Sequence, residues 1–250
     1  MSQSDTRVIA VIATGLVATV AGGLWWYSRS APAPANTMPA AVTSTEASID
    51  KPEPAVVLPP LDQMDAFLRP LLSALSSRPE LAKWLATDDL VRQLAMAIDQ
   101  AAEGNSPARD FKVIAPSASF RTAGRGERRT IDAASYRRYD GLVETLTSID
   151  AAAAARVYKT IRPRLNDAYQ GLGNHGRNVE PALQQAIDTL LETPIVNDPV
   201  ALIGTGATGW AYEDPELEEL APAQKQLLRM GATNLERVQM WLRAFQLAIQ

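Results

Sequence analysis

Residues 231–250 read GATNLERVQMWLRAFQLAIQ, and this pattern indicates how the C-terminal part of the chain folds. Gly231 is expected to end one helix, and Thr233 with Glu236 forms a capping box that starts the next. Apolar residues then recur at alternating spacings of three and four, which places them on one helix face: Leu235, Val238, Leu242, Phe245 and Ile249. The segment therefore predicts an amphipathic helix that buries this face against other elements.

Similar apolar stripes recur through residues 61–250. They predict further helices in these places: Met64–Leu75, after Ser77, after Thr87, Asp132–Ile149, from Asp150 to Tyr169, and Leu183–Leu191. Extended structure is expected only in four short segments: Phe111–Ile114, Phe120–Thr122, Val200–Ile203 and Trp210–Tyr212. Because each segment is too short and isolated to found a large sheet, the prediction is a mainly α, compact multi-helix domain with at most one short β-hairpin.

An uncharged, mostly apolar run of twenty residues, Val8–Tyr27, lies near the N-terminus. As a helix it measures about 30 Å, the thickness of the hydrocarbon core of a bilayer. Aromatic rings at one end of the run favour the membrane–water interface: Trp25, Trp26 and Tyr27. The run is longer than the apolar region of a typical cleaved signal peptide, which is the alternative. We therefore predict a single-pass transmembrane helix that contacts the lipid bilayer.

The segments on either side of this run complete the predicted topology. Residues 28–60 are rich in proline and alanine, so we expect a disordered linker that builds no core. Arg7 and Arg29 nearly balance the positive charge on the two sides of the run. The positive-inside rule therefore gives little preference for either orientation of the helix. We expect residues 1–7 as a cytoplasmic tail at the bacterial inner membrane and the domain in the periplasm or otherwise outside the cytoplasm. Small residues on one face of the run allow a weak homodimer.

The composition excludes several classes of function. The chain has no cysteine, which excludes disulfides, thiol catalysis and cysteine metal sites. With a single histidine as well, we expect no metal and no cofactor. Its 24 basic and 28 acidic residues give a net charge of −4, which is not typical of a nucleic-acid-binding protein.

The sequence GTGATG at Gly204–Gly209 matches the dinucleotide-binding fingerprint. That function requires a helix N-terminus facing the pyrophosphate, whereas Trp210–Tyr212 has an extended pattern and Pro215 follows it. Nine acidic residues and no basic ones lie between Glu180 and Leu220, so the local field repels phosphate. We therefore expect a turn in a hairpin at this position.

The only histidine, His175, lies in a glycine-rich loop beside Asn174 and Arg177. A single imidazole is able to act as a general base, but it has no second histidine or cysteine to support a metal site or a nucleophile. An exposed loop histidine is therefore expected. The chain also lacks the Gly-x-Ser-x-Gly elbow of serine hydrolases.

A basic stretch between Ser106 and Asp140 holds eight basic and four acidic residues. Four of its arginines surround the loop Gly124–Gly126, and guanidinium groups bind carboxylate or phosphate in a bidentate manner. We predict that these four contact an anionic partner, either an envelope protein or an anionic polymer: Arg121, Arg125, Arg128 and Arg129. The alternatives are a solvated surface, or pairing with the acidic run Glu213–Glu219.

Five strings of the sequence carry a family resemblance: Leu58–Asp62 (LPPLD), Trp84–Leu90 (WLATDDL), Glu103–Arg109 (EGNSPAR), Ser135–Asp140 (SYRRYD) and Pro222–Gly231 (PAQKQLLRMG). The chain from Leu58 onward resembles a bacterial family called Domain of Unknown Function 3014. The resemblance implies an N-terminal membrane anchor, a variable spacer and a helical domain of undetermined activity. It supplies no catalytic residues.

Two functions are consistent with these features. The first is a membrane-tethered module of the cell envelope that binds another protein or an envelope polymer without catalysis. The alternative is an envelope enzyme that acts on an anionic or polymeric substrate with carboxylate and arginine chemistry. A groove lined by arginines and paired carboxylates favours the enzyme, whereas a flat or convex apolar patch favours the interaction module.

Overall fold

The computed structural model describes residues 57–250, apart from 113–114, 127, 198 and 206–208. The predicted membrane span Val8–Tyr27, the N-terminal tail and most of the predicted linker lie outside these residues. Within the part that is described, no helix combines the length and the apolar composition needed to cross a bilayer.

Helices dominate the domain. In chain order they are α1 (Met64–Ser73), α2 (Pro79–Leu85), α3 (Leu90–Ala102), α4 (Ala133–Arg137), α5 (Asp140–Ser148), α6 (Ala151–Gly171), α7 (Val179–Leu191), α8 (Pro215–Glu219), α9 (Pro222–Leu228) and α10 (Ala232–Ile249). Single 3-10 turns occur at Leu61–Gln63 and Pro107–Arg109. The apolar stripes therefore predicted α1 to α7 and α10, with one merger, because the stretch Asp132–Ile149 divides into α4 and α5. Helix α9 was expected only as the helix before Gly231, and α8 was not predicted.

The start of the last helix differs from the prediction. Gly231 is its N-cap, with a φ of 78°, so Thr233 lies inside α10 and does not cap it. The φ value is positive, a conformation that glycine adopts without a steric penalty. A Cβ on Gly231 would also lie 2.8 Å from Cγ of Tyr136. Both features favour glycine at the junction between α9 and α10.

Four helices, α1, α3, α6 and α7, supply most of the first hydrophobic cluster. Their apolar faces meet in the interior, where five large side chains are at most 2 % exposed: Met64, Leu68, Leu90, Leu165 and Tyr169. Pro163 lies inside α6, which continues through it to Gly171. This helical layer matches the multi-helix part of the prediction.

The strands form a single antiparallel sheet in the order β1-β2-β3-β4. They are β1 (Thr122–Arg125), β2 (Arg128–Ile131), β3 (Ala201–Gly204) and β4 (Trp210–Tyr212). The prediction of at most one short hairpin is therefore wrong, because the chain builds two hairpins and pairs them through β2 and β3. Thr130 faces Ala201 across that junction. This pairing joins residues about seventy positions apart, which a local pattern does not encode.

A second hydrophobic cluster joins the sheet to α5, α9 and α10. Ile131, Leu202 and Tyr212 contribute from the strands, each at most 6 % exposed. Leu242 on α10 packs against both clusters, so this helix links the helical layer to the sheet.

Candidate partner-binding groove

One face of the sheet forms the floor of a groove of about 380 Å³. Side chains alternate between the two faces of a strand. The register places Arg129, Leu202 and Tyr212 in line across β2, β3 and β4, with Ile131 and Trp210 on the same face of the sheet. The groove is therefore built on strands that the sequence analysis recognised only in part.

One wall of this groove comes from α9 and the residue after it. Pro222 occupies the first turn of α9, and the side-chain oxygen of Gln224 accepts the backbone N–H of Ala221 at 3.1 Å. The apolar residues of α9 turn inward to the core. This orientation leaves Lys225, Gln226 and Arg229 to line the groove.

A second part of the wall is the junction between α4 and α5, where Arg138 and Tyr139 line the groove. The Arg138 guanidinium lies 5.6 Å from the ring centre of Phe120 and 5.3 Å from that of Tyr139. It also donates to the backbone oxygens of Ser135 and Ala118, each at 3.0 Å. Aromatic faces and neutral carbonyls hold the guanidinium in place without neutralising its charge.

Glu218 is the one acidic side chain among the residues that line the groove. Its carboxylate accepts from Lys225 Nζ at 2.7 Å and from the backbone N–H of Tyr212 at 2.9 Å. These two hydrogen bonds, the Lys225 bond first, lower the pKa of Glu218. Lys225 and Glu218 therefore cancel each other, and the remaining charge of the groove is positive.

Three arginines supply that positive charge. Arg138 and Arg229 line the groove, and Arg129 lies 5.6 Å from the ring centre of Trp210 at its edge. Arg129 also donates to the Thr122 hydroxyl at 3.1 Å. In the part of the chain that the structure describes, none of the three forms an ion pair.

Two tyrosines give the groove fixed hydrogen-bonding groups. The Tyr212 hydroxyl donates to the backbone oxygen of Lys225 at 3.3 Å, and the Tyr139 hydroxyl accepts from Gln226 Nε2 at 3.0 Å. Burial raises the pKa of Tyr212, and the nearby Arg229 guanidinium opposes this with a smaller effect. The Tyr212 phenol is therefore protonated at neutral pH and stays a donor.

A neighbouring hollow of about 770 Å³ shares Lys225, Gln226 and Arg229 with the groove. Its other side is the segment after α3, including Asn105 and Ser106. A backbone hydrogen bond joins this segment to α9: the N–H of Ala223 donates to the Gly104 oxygen at 2.9 Å. Three of the strings that carry the family resemblance, Glu103–Arg109, Ser135–Asp140 and Pro222–Gly231, thus meet around one depression.

The model of a family described as "Protein of unknown function (DUF3014)" matches residues 90–246. The chain belongs to this family. The resemblance recognised in the sequence is thereby confirmed over the matched residues, which include the whole groove. The match does not extend to the implied membrane anchor. No curated protein and no solved structure matches the chain.

The four arginines predicted to contact an anionic partner do not share one site. Arg129 lies on the groove face of β2, whereas Arg125 is on the other face of β1 by strand alternation. Arg121 is exposed just before β1, and Arg128 starts β2 opposite Arg125. The acidic run Glu213–Glu219 forms no ion pair with Arg121, Arg125 or Arg129 among the described residues; its Glu218 pairs with Lys225. Their contact with a partner stays a prediction.

The other two candidates lie away from the groove or at its margin. Gly204 ends β3, and the Thr205 N–H donates to the Gly209 oxygen at 3.0 Å, which closes the β3–β4 hairpin as expected. His175 is exposed in the loop after α6, where Asn174 binds Asp99 at 2.8 Å. Within the described residues, no three His, Asp or Glu side chains are grouped to hold a metal ion.

The sequence analysis missed most of the groove: Phe120, Tyr139, Trp210, Tyr212, Lys225 and Arg229. Aromatic and basic residues are common, and this set is spread over more than one hundred positions of the chain, from Phe120 to Arg229. Two of the sequence strings that carry the family resemblance did point to the groove. SYRRYD contains Arg138 and Tyr139, and PAQKQLLRMG contains Lys225 and Arg229.

Proposed function

We propose that this domain is a non-catalytic interaction module whose groove holds an acidic segment of a partner. The observation that carries the proposal is the set of three guanidinium groups, Arg129, Arg138 and Arg229, around aromatic rings and without ion pairs among the described residues. Arginine binds carboxylates in a bidentate manner and stacks on rings at the same time. The chain as a whole is acidic, with a net charge of −4, so positive charge is concentrated locally in the groove. Such a field attracts an anionic partner to this face of the domain.

The enzymatic alternative has less support from the groove. Hydrolysis of a glycosidic polymer requires two carboxyl groups on opposite sides of the scissile bond. Glu218 is the one carboxylate among the groove-lining residues, and it is held ionised by Lys225 and the Tyr212 N–H. A paired carboxylate with a lowered pKa is a poor general acid.

The location of this module in the bacterial envelope is a further part of the proposal. It rests on the apolar sequence Val8–Tyr27 and the proline-rich residues that follow it. Phosphatase and fluorescent reporters fused after Gln250 test on which side the domain lies. Release of the full chain from membranes by carbonate washing, or a reporter active only in the cytoplasm, would contradict it.

Binding of the full chain to fluorescein-labelled oligoglutamate tests the function. The double variant Arg129→Gln/Arg229→Gln is expected to lose roughly tenfold or more in affinity, since hydrogen bonds to charged groups contribute about 1.5–3 kcal/mol each. Arg156→Gln is the matched control, because Arg156 is an exposed arginine on α6, outside the groove. Binding should weaken as salt is added. Equal affinity in all three proteins would contradict the proposal.

A second comparison separates the groove from the other predicted residues. Replacing Arg121, Arg125, Arg128 and Arg129 together by alanine is expected to weaken binding, mainly through Arg129, whereas His175→Ala should leave it unchanged. Thermal melts must first confirm that each variant folds. Loss of binding in His175→Ala with retention in the arginine variant would make an enzyme with a general base the better hypothesis.

A further inference from the structure

A second cavity, separate from the groove, lies between the helical layer and α5. Its volume is about 360 Å³, and its walls come from α1, α2, α3, α5, α6, α7 and α10. It is open to solvent, and many of its lining side chains are only partly buried. Folding therefore leaves apolar surface exposed here, which is a mark of a ligand-binding site.

The wall of this cavity presents carbon atoms only. The polar atoms of three of its side chains are bonded elsewhere. Trp84 Nε1 donates to Gln93 at 3.0 Å, Trp241 Nε1 donates to the Ile149 oxygen at 2.7 Å, and the Thr145 hydroxyl donates to the Gly141 oxygen at 2.7 Å. The fourth, the buried Tyr158 hydroxyl, has no hydrogen-bond partner among the described residues. One free hydroxyl is fewer than the two to four polar partners that an ordered water needs.

Aromatic rings pack against one another in one part of the wall. Trp241 stacks on Phe245 with ring centres 5.2 Å apart, and Phe245 meets Tyr158 edge-on at 6.2 Å. Because these ring contacts are already formed without an occupant, they reduce the ordering cost of binding a ligand.

We propose that this cavity binds the hydrocarbon chain of a free fatty acid. A site without exposed polar atoms selects a ligand by its apolar surface, and its size falls within the usual range for small-molecule pockets. An apolar cavity of roughly 150 Å³ takes up benzene, with six carbons, so by the same ratio about 360 Å³ takes up one chain of ~14 carbons. Two long chains of a phospholipid exceed this volume.

Tryptophan quenching tests the proposal directly, because Trp84 and Trp241 line the cavity. The full chain is prepared with Trp25, Trp26 and Trp210 replaced by phenylalanine, so that only these two reporters emit. Titration with ω-bromododecanoic acid, kept below its micelle concentration, should quench them in a saturable manner, since bromine quenches on contact. Vesicles of a brominated phospholipid, the other source of an acyl chain, should not.

Two variants that fill the cavity and one matched control complete the experiment. Ala154→Leu on α6 and Leu146→Phe on α5 add carbons at the wall and should each weaken the quenching titration roughly tenfold or more. Ala152→Leu makes the same change at an exposed position of α6 and should leave it unchanged. Folding of each variant is checked by circular dichroism, and either filling variant alone suffices if the other unfolds.

Several outcomes would overturn the assignment. These are a titration that does not saturate, equal quenching in the Ala154→Leu and Ala152→Leu proteins, or quenching by the phospholipid alone. Sedimentation of the same samples tests the remaining occupant, a second copy of the chain. Dissociation of a dimer by both Ala154→Leu and Leu146→Phe, without fatty-acid quenching in the parent protein, would assign the cavity to self-association instead.

Discussion

The carboxylate of Asp65 caps helix α3 by accepting the backbone N–H of Leu90 at 2.9 Å. Its second oxygen accepts the N–H of Asp89 at 2.8 Å, where the backbone takes a φ of 57°. Two helices that are separated by α2 are thereby joined through one side chain. The first N–H groups of a helix have no partner within it, so this bond satisfies donors that would otherwise be lost on burial.

Replacing Asp65 by alanine is expected to destabilise the domain by about 1–2 kcal/mol, the usual cost of removing an N-cap carboxylate. Chemical denaturation of the full chain, followed by far-UV circular dichroism, measures the change. Asp62→Ala is the control, because Asp62 is exposed in the preceding 3-10 turn. Equal effects of the two substitutions would show that the cap contributes nothing specific.

Gly231 is expected to tolerate no side chain. A methyl group there combines a φ of 78° with a contact of 2.8 Å to Cγ of Tyr136, so Gly231→Ala should cost about 1–3 kcal/mol. Gly171→Ala at the end of α6 meets no atom within 4 Å, and it should be neutral or slightly stabilising. Melting temperatures of the two variants, compared with that of the parent, check the contrast.

These two contacts illustrate how much of the fold is present in the sequence. The helices could be predicted because the spacing of their apolar residues is a local pattern, and Val200–Ile203 and Trp210–Tyr212 were recognised as extended. The helix caps could not be predicted in this way. Asp65 lies 25 residues from Leu90, and Tyr136 lies almost a hundred residues from Gly231, so neither contact leaves a local pattern.

The sheet and the groove were missed for a related reason. The strand β1 reads TAGR, with a glycine and no apolar alternation, so its own sequence does not mark it as a strand. Arg129 was predicted from a cluster of charges, but its neighbour Trp210 comes from β4. Proximity of this kind follows from strand pairing, which sequence spacing does not report.

Leu242 is expected to be essential for stability, because it packs against both hydrophobic clusters. Leu242→Asp places an unpaired charge between them and should cost more than about 3 kcal/mol, enough to unfold a marginally stable domain. Leu247→Asp makes the same change on the same helix where the side chain is 73 % exposed, and should have little effect. A cooperative melt retained in Leu242→Asp would contradict the packing of α10.

Acid should weaken the domain partly through Glu218. Its hydrogen bonds to Lys225 and to the Tyr212 N–H lower the pKa of its carboxyl below the ordinary value of 4.5. A lowered folded-state pKa gives stability that is present above 4.5 and is lost as the pH falls through the folded-state value. The parent should therefore exceed Glu218→Gln in stability at neutral pH, and the difference should shrink below pH 4.5. Chemical denaturation of both proteins at several pH values measures this difference in stability. A difference that does not change with pH would contradict the role of the Glu218 carboxylate.

Removing one buried hydroxyl should not harm the protein. Tyr158 is 7 % exposed, and its hydroxyl is buried without a hydrogen-bond partner among the described residues. Leaving a donor unsatisfied costs about 1–3 kcal/mol, so Tyr158→Phe is expected to be neutral or stabilising. Tyr212→Phe removes a hydroxyl that donates to the Lys225 oxygen at 3.3 Å, and should cost about 1 kcal/mol instead. Both rings stay apolar and in place, so unfolding free energies compare the two hydroxyls directly. Destabilisation by Tyr158→Phe would mean that its hydroxyl has a partner in the folded protein.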